Sequence, residues 1–181
     1  MNTHLDIIGS FIIAGALILG FAQFSANKHA AMLEATTSVM NQDAMSSFST
    51  VMMSDLRKIG YGCKNEAFLT IQPRRLVFLS DIDNNGSIDT VKYWFATPAA
   101  STLNPSDSLL YRQVNNGTAV GSSLGIVDLR FRYYNAAGSE TTSQVAVKSV
   151  DVRARIQSTI PVNNMYTENT ASFRITPRNN K

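Results

Sequence analysis

The sequence predicts an α+β protein, in which one long N-terminal helix, hydrophobic in its first part, carries a head built on antiparallel β-structure. Three observations carry that prediction. Ile7 to Phe24 is an unbroken apolar run, Ala22 to Ile59 contains neither Pro nor Gly, and beyond Gly62 short β-rich runs alternate with turn residues. The division falls near residue 59, giving a helix over 1–59 and a β-rich globular head over 60–181.

The first part of the helix reads IIGSFIIAGALILGFAQF, 18 residues without an ionisable side chain. At a rise of about 1.5 Å per residue it extends roughly 27 Å, against a hydrocarbon core of about 30 Å. A chain in lipid must satisfy its own backbone hydrogen bonds, so this stretch is expected to be a transmembrane or otherwise sheltered helix. A cleavable signal peptide needs a basic first segment, and MNTHLD has no Lys or Arg. The flanks carry His4 on one side and Lys28 and His29 on the other, too little charge to orient the span. Ser10 with Ala14, and Ala16 with Gly20, form small-xxx-small pairs that permit close approach of another helix.

Past the apolar run the helix should continue. Leu33, Met40, Ala44, Phe48, Val51 or Met52, Leu56 and Ile59 recur at helical spacing, with Ser, Thr and Asn on the other face. Gly60-Tyr61-Gly62 marks the stop, and Arg57 and Lys58 stand where the helix dipole favours cations. A helix over 5–59 would reach about 80 Å, its outer half packing on the head.

Within the head, strands are expected at Leu76–Ser80, Ile88–Phe95, Ser108–Val114, Val127–Tyr134, Val145–Gln157 and Ala171–Thr176. Two alternate strictly. Val127, Leu129, Phe131 and Tyr133 share one face of the first, and Val150, Val152, Ala154 and Ile156 share one face of the second. An antiparallel pairing with Asp128 opposite Arg155 places Arg132 opposite Asp151. The other face then shows Arg130, Arg132, Arg153 and Arg155. A solvated sheet face is the simpler reading, and a docking patch for a partner or an anion is the alternative. The head carries thirteen Lys or Arg against nine Asp or Glu, which is compatible with nucleic acid without demanding it.

One segment has the pattern of metal chemistry. Residues 81–89 read Asp-Ile-Asp-Asn-Asn-Gly-Ser-Ile-Asp, matching the first nine positions of a calcium loop. Alternation lets Asp81, Asp83 and Asn85 direct hard oxygens at one point. Gly86 permits the sharp turn, Ser87 offers its carbonyl, and Asp89 ligates directly or through water. The twelfth position, where a bidentate acid belongs, is Lys92. The flanks read as strands, so the loop sits in a β-hairpin, and the expected Ca²⁺ affinity is weak, about 0.1–1 mM. A polar turn that binds nothing is the competing reading. No nucleophile–base pair, phosphate-cradling loop or paired carboxylates in a cleft is legible, so no enzymatic activity is expected. Cys63 is the only cysteine, which excludes an intrachain disulfide.

In chain order stand an apolar helix near the N-terminus, Ser54-Asp-Leu-Arg-Lys-Ile-Gly-Tyr-Gly, the Asp81 loop, and Ile175-Thr-Pro-Arg-Asn. Together they resemble the type IV pilin superfamily, particularly PilW-type minor pilins and J-type pseudopilins. The resemblance implies a pilin-like ladle and a structural subunit of an extracellular pilus-like filament. The alternatives are a pseudopilin or minor tip subunit, and a membrane-anchored calcium-dependent binding module. It implies copies of itself or other pilin-like subunits as partners, with dedicated pilus or secretion machinery. The cytoplasmic membrane, with the head outside, precedes the extracellular filament or cell surface. Asp6, Ser10, Ala14, Ala16 and Gly20 become assembly residues. Asp6 would neutralise a neighbouring subunit's terminal amine, a role the family gives to a glutamate where this chain has Leu5. The family pattern also has a basic leader ending in Gly, which does not precede the helix here; the expectation is a processed form or one made without a leader.

Overall fold

The structure, a computed structural model, describes residues 3–98 and 102–179. Helix α1 runs unbroken from Thr3 to Arg57, 55 residues or about 80 Å. From Ile7 to Thr36 none of its side chains is buried. The packed face starts at Thr37 and continues through Asn41, Phe48, Met52, Asp55 and Leu56 to Ile59 just past the last turn. That face differs from the expected stripe at its upper end. Leu33 and Met40 point outward, 53% and 61% exposed, and at the Val51/Met52 ambiguity Met52 is the buried residue. The reason is the partner: Asn41 Nδ2 donates to the carbonyl of Thr167 at 3.0 Å, so the helix first meets polar backbone rather than apolar side chains.

Among the described residues the head contains eight strands in chain order: β1 Phe68–Gln72, β2 Arg75–Ser80, β3 Asp89–Pro98, β4 Ser108–Val114, β5 Val120–Ser122, β6 Ile126–Tyr134, β7 Ser149–Gln157 and β8 Glu168–Ile175. They form two antiparallel sheets, β1-β2-β3-β4-β5 and β6-β7-β8. The junction explains the split. Strand β6 meets not a ladder but the β1–β2 turn, with Phe131 N–H donating to the Pro73 carbonyl at 2.9 Å. The Tyr133 hydroxyl donates to the Gln72 carbonyl at 3.0 Å. Two short strands, β1 and β5, were not expected. Conversely, residues 143–147 form turns, so β7 starts at Ser149 and not Val145.

The β6–β7 register is the expected one, with Asp128 opposite Arg155 and Arg132 opposite Asp151. A bulge between Ile126 and Asp128 turns Ile126 inward and leaves Val127 half-buried. The core lies where the two inner sheet faces close on the outer end of α1. Phe68, Phe78 and Tyr93 come from the first sheet, Leu129, Phe131 and Val152 from the second, and Met52, Leu56 and Ile59 from the helix. Burying each such side chain contributes about 1.5–3 kcal/mol, so this junction dominates the stability of the head.

Candidate functional site

The helix end is the structural hub. Asp55 is buried, and its Oδ2 accepts hydrogen bonds from the Tyr93 hydroxyl at 2.5 Å and Arg112 Nε at 2.7 Å. Tyr93 is on β3 and Arg112 on β4, so one carboxylate fastens α1 to the five-stranded sheet. Burial first, and the Asp55 charge second, push the Tyr93 phenol far above its ordinary range, which keeps it a donor. Sequence reading assigned no role to Tyr93 or Arg112, because nothing in their spacing announces a shared partner.

Gly60 has a positive φ of 77°, and a Cβ there would lie 2.7 Å from the carbonyl oxygen of Asn179. Its N–H donates to the Leu79 carbonyl at 2.9 Å. Gly62, φ 76°, abuts Ile88 and Asp81. The Tyr61 hydroxyl reaches Asn84 Oδ1 at 2.9 Å, and Lys58 Nζ reaches the Ile82 carbonyl at 2.7 Å. The helix-end segment, the acidic loop and the C-terminal Pro-Arg-Asn are therefore one contact surface.

In the acidic loop, one carboxylate oxygen each from Asp81, Asp83 and Asp89 can be chosen so that all lie within 4.8 Å of one another. Asp81 and Asp89 are buried and Asp83 is exposed. Every carboxylate oxygen of the three already accepts a hydrogen bond. Asp81 takes the amides of Asn85 and Gly86 at 3.0 and 2.9 Å. Asp83 takes the amide and side chain of Asn85 at 3.2 and 2.9 Å. Asp89 takes the Ile82 amide at 3.2 Å and Asn115 Nδ2 at 2.6 Å. Asn85 Oδ1 accepts from the Ser87 amide at 2.8 Å. A carboxylate oxygen offers a second lone pair, so each of these hard oxygens has room for one more partner, while Lys92 at the twelfth position supplies no oxygen. Lys92 is placed along β3, opposite Val77 and Gln113.

The apolar half of α1 extends about 50 Å clear of the head before Thr37. It is long and apolar enough to cross a membrane. From Ile7 to Phe24, ten large apolar side chains are each more than half exposed. Covering them is worth about 1 kcal/mol apiece, about 10 kcal/mol together, comparable to the stability of a whole domain. Ser10, Ala14, Ala16 and Gly20 are all exposed, and a Cβ at Gly20 would meet nothing within 4 Å. The two small pairs lie about 120° apart around the helix. Asp6 is in the helix, and its side chain lies outside the described residues.

Arg130, Arg132, Arg153 and Arg155 are all exposed on the outer face of β6 and β7. Asp128 meets Arg130 at 3.3 Å and Arg74 at 3.4 Å, and Asp151 meets Arg174 at 4.0 Å. On the outer face of the five-stranded sheet Trp94 and Tyr111 face each other across β3 and β4 and stack, with centroids 5.1 Å apart and planes 10° from parallel. A cavity of about 480 Å³ beside Trp94 is lined by Gln72, Arg74, Arg75, Lys92, Phe95 and Gln113. Cys63 is half-buried, and burial raises its thiol pKa. Comparison with known proteins returns no matching family model, curated sequence or solved structure.

Proposed function

We propose that this chain is a structural subunit of a type IV pilus-like filament. It would be held first in the cytoplasmic membrane with its head outside and then assembled through α1. The observation that supports this reading is the geometry of α1. One continuous helix is fastened to the head at its outer end and has no buried side chain from Ile7 to Thr36. Ten exposed large apolar side chains need either lipid or a bundle of like helices, and one segment serves both in succession. In that bundle Asp6 would pair with a neighbour's terminal amine, since an unpaired charge among apolar helices is costly. The role is structural, and the acidic loop takes calcium weakly.

The test is electron microscopy of sheared cell-surface material together with membrane fractionation. Fibres containing this chain in quantity support the filament subunit. Retention in the membrane alone, with fibres of normal composition, assigns it to a pseudopilin or initiating role. Asp6→Ala is expected to abolish incorporation. Normal incorporation of that variant removes the role of Asp6.

A further inference from the structure

The outer face of the five-stranded sheet combines features that solvation alone does not explain. Trp94 borders the cavity on β3, and Tyr111, which is not among the cavity's walls, backs the indole from the other side. Tyr111 is held there by Gly121 on the neighbouring strand, where a Cβ would come within 2.7 Å of the phenol ring. The indole is thus braced, with its remaining face toward a slot. Arg74, Arg75 and Lys92 line that slot, and no carboxylate does. Asp128 then links Arg74 to Arg130, the first arginine of the three-stranded sheet. There Arg130 stands directly opposite Arg153 in the ladder. Like charges placed so are destabilising; Asp128 offsets Arg130 in part, and Glu168 stands 3.9 Å from Arg155 at the far end of the track.

We infer that the slot takes a base of a single-stranded nucleic acid, stacked on Trp94, with Arg75 and Lys92 on the flanking phosphates. The strand then continues past Arg74 onto the arginines of β6 and β7. Aromatic faces beside a cationic track are the means by which such strands are held without sequence preference. A phosphate-bearing strand is favoured over a neutral glycan because every charged group lining the slot is a cation. This inference stands independently of filament assembly.

The chain has a single tryptophan, which makes Trp94 its own reporter. The full-length protein in detergent micelles is titrated at low salt with an oligothymidylate of about fifteen nucleotides, followed by Trp fluorescence and by anisotropy of a labelled strand. Saturable quenching is expected. Trp94→Ala should weaken binding at least about five-fold and Trp94→Phe should largely restore it. Arg75→Gln should reduce the salt dependence by about one phosphate contact, which keeps the test decisive where Trp94→Ala unfolds. An abasic strand of equal length should bind more weakly and leave the fluorescence unchanged. Absence of quenching overturns the inference. Equal affinity for the abasic strand overturns base stacking, and tighter binding of heparin reassigns the surface to acidic polysaccharide.

Discussion

Removing the charge of Asp55 tests the claim that one carboxylate fastens the helix to the sheet. Asp55→Asn keeps the shape of the side chain but withdraws the counter-charge of Arg112, whose side chain is 35% exposed while that of Asp55 is 9% exposed. Breaking a buried ion pair from one side costs about 3–5 kcal/mol. Water reaches the guanidinium in part, which reduces that to about 2 kcal/mol. The Tyr93 hydroxyl loses its charged acceptor for about 1 kcal/mol more. The sum of about 3 kcal/mol corresponds to a fall of about 10 °C in melting temperature for a head of this size. Near-ultraviolet circular dichroism of the full chain in detergent reads the head's tertiary packing directly. The double variant Asp55→Leu with Arg112→Met should recover part of the loss, because no charge is then left unpaired. A fall of less than about 3 °C for Asp55→Asn would show that the helix is held by apolar packing alone.

Gly60→Ala should lower stability by about 2–3 kcal/mol, from the left-handed backbone and from the clash with Asn179, and should make the C-terminal residues susceptible to carboxypeptidase. Unaltered digestion would contradict the contact. Burial raises the pKa of Tyr93 and Tyr133 above the ordinary range, so the folded state holds both protons more tightly than the unfolded chain. Stability is therefore fully present below about pH 10 and falls as pH climbs beyond it. Absorbance titration of tyrosinate should show these two ionising only as the head unfolds, and early ionisation of all six tyrosines would refute it. Calcium at ten times a dissociation constant of about 0.5 mM should stabilise by about 1.4 kcal/mol, a rise of about 4 °C over chelator. Asp83→Asn should remove that rise, and identical melting with and without calcium would leave the loop as a turn.

What the sequence made legible follows from which signals are local. The apolar run and the absence of Pro and Gly specify α1 within a few residues, because helix formation reads its own neighbours. Strict alternation specified the β6–β7 register, since shifting by one residue would bury Arg130 and expose Leu129. The hub escaped notice because Asp55, Tyr93 and Arg112 are separated by 38 and 19 residues, and only the sheet order brings them together. Trp94 and Tyr111 likewise become a pair only through the β3–β4 register. The split into two sheets depends on the β1–β2 turn carbonyls capturing Tyr133 and Phe131, which no pattern in either strand foretells. The buried Asn41 read as a solvent face for the same reason: its partner is a backbone 126 residues away.

That last contact also sets an order of events. The packed face of α1 is closed by β8 and the residue before it, through Asn41 with Thr167 and the ring of Phe48 tilted against Phe173 at 6.2 Å. A ribosome adding about 5–20 residues per second needs roughly 6–25 s to travel from one partner to the other. During that interval the helix exists, both its apolar segment and its inner face are uncovered, and the strand that completes the head has not been made. The fold is thus a fastener whose two halves are delivered at opposite ends of synthesis. Whatever shelters the first half in the meantime acts before the head can.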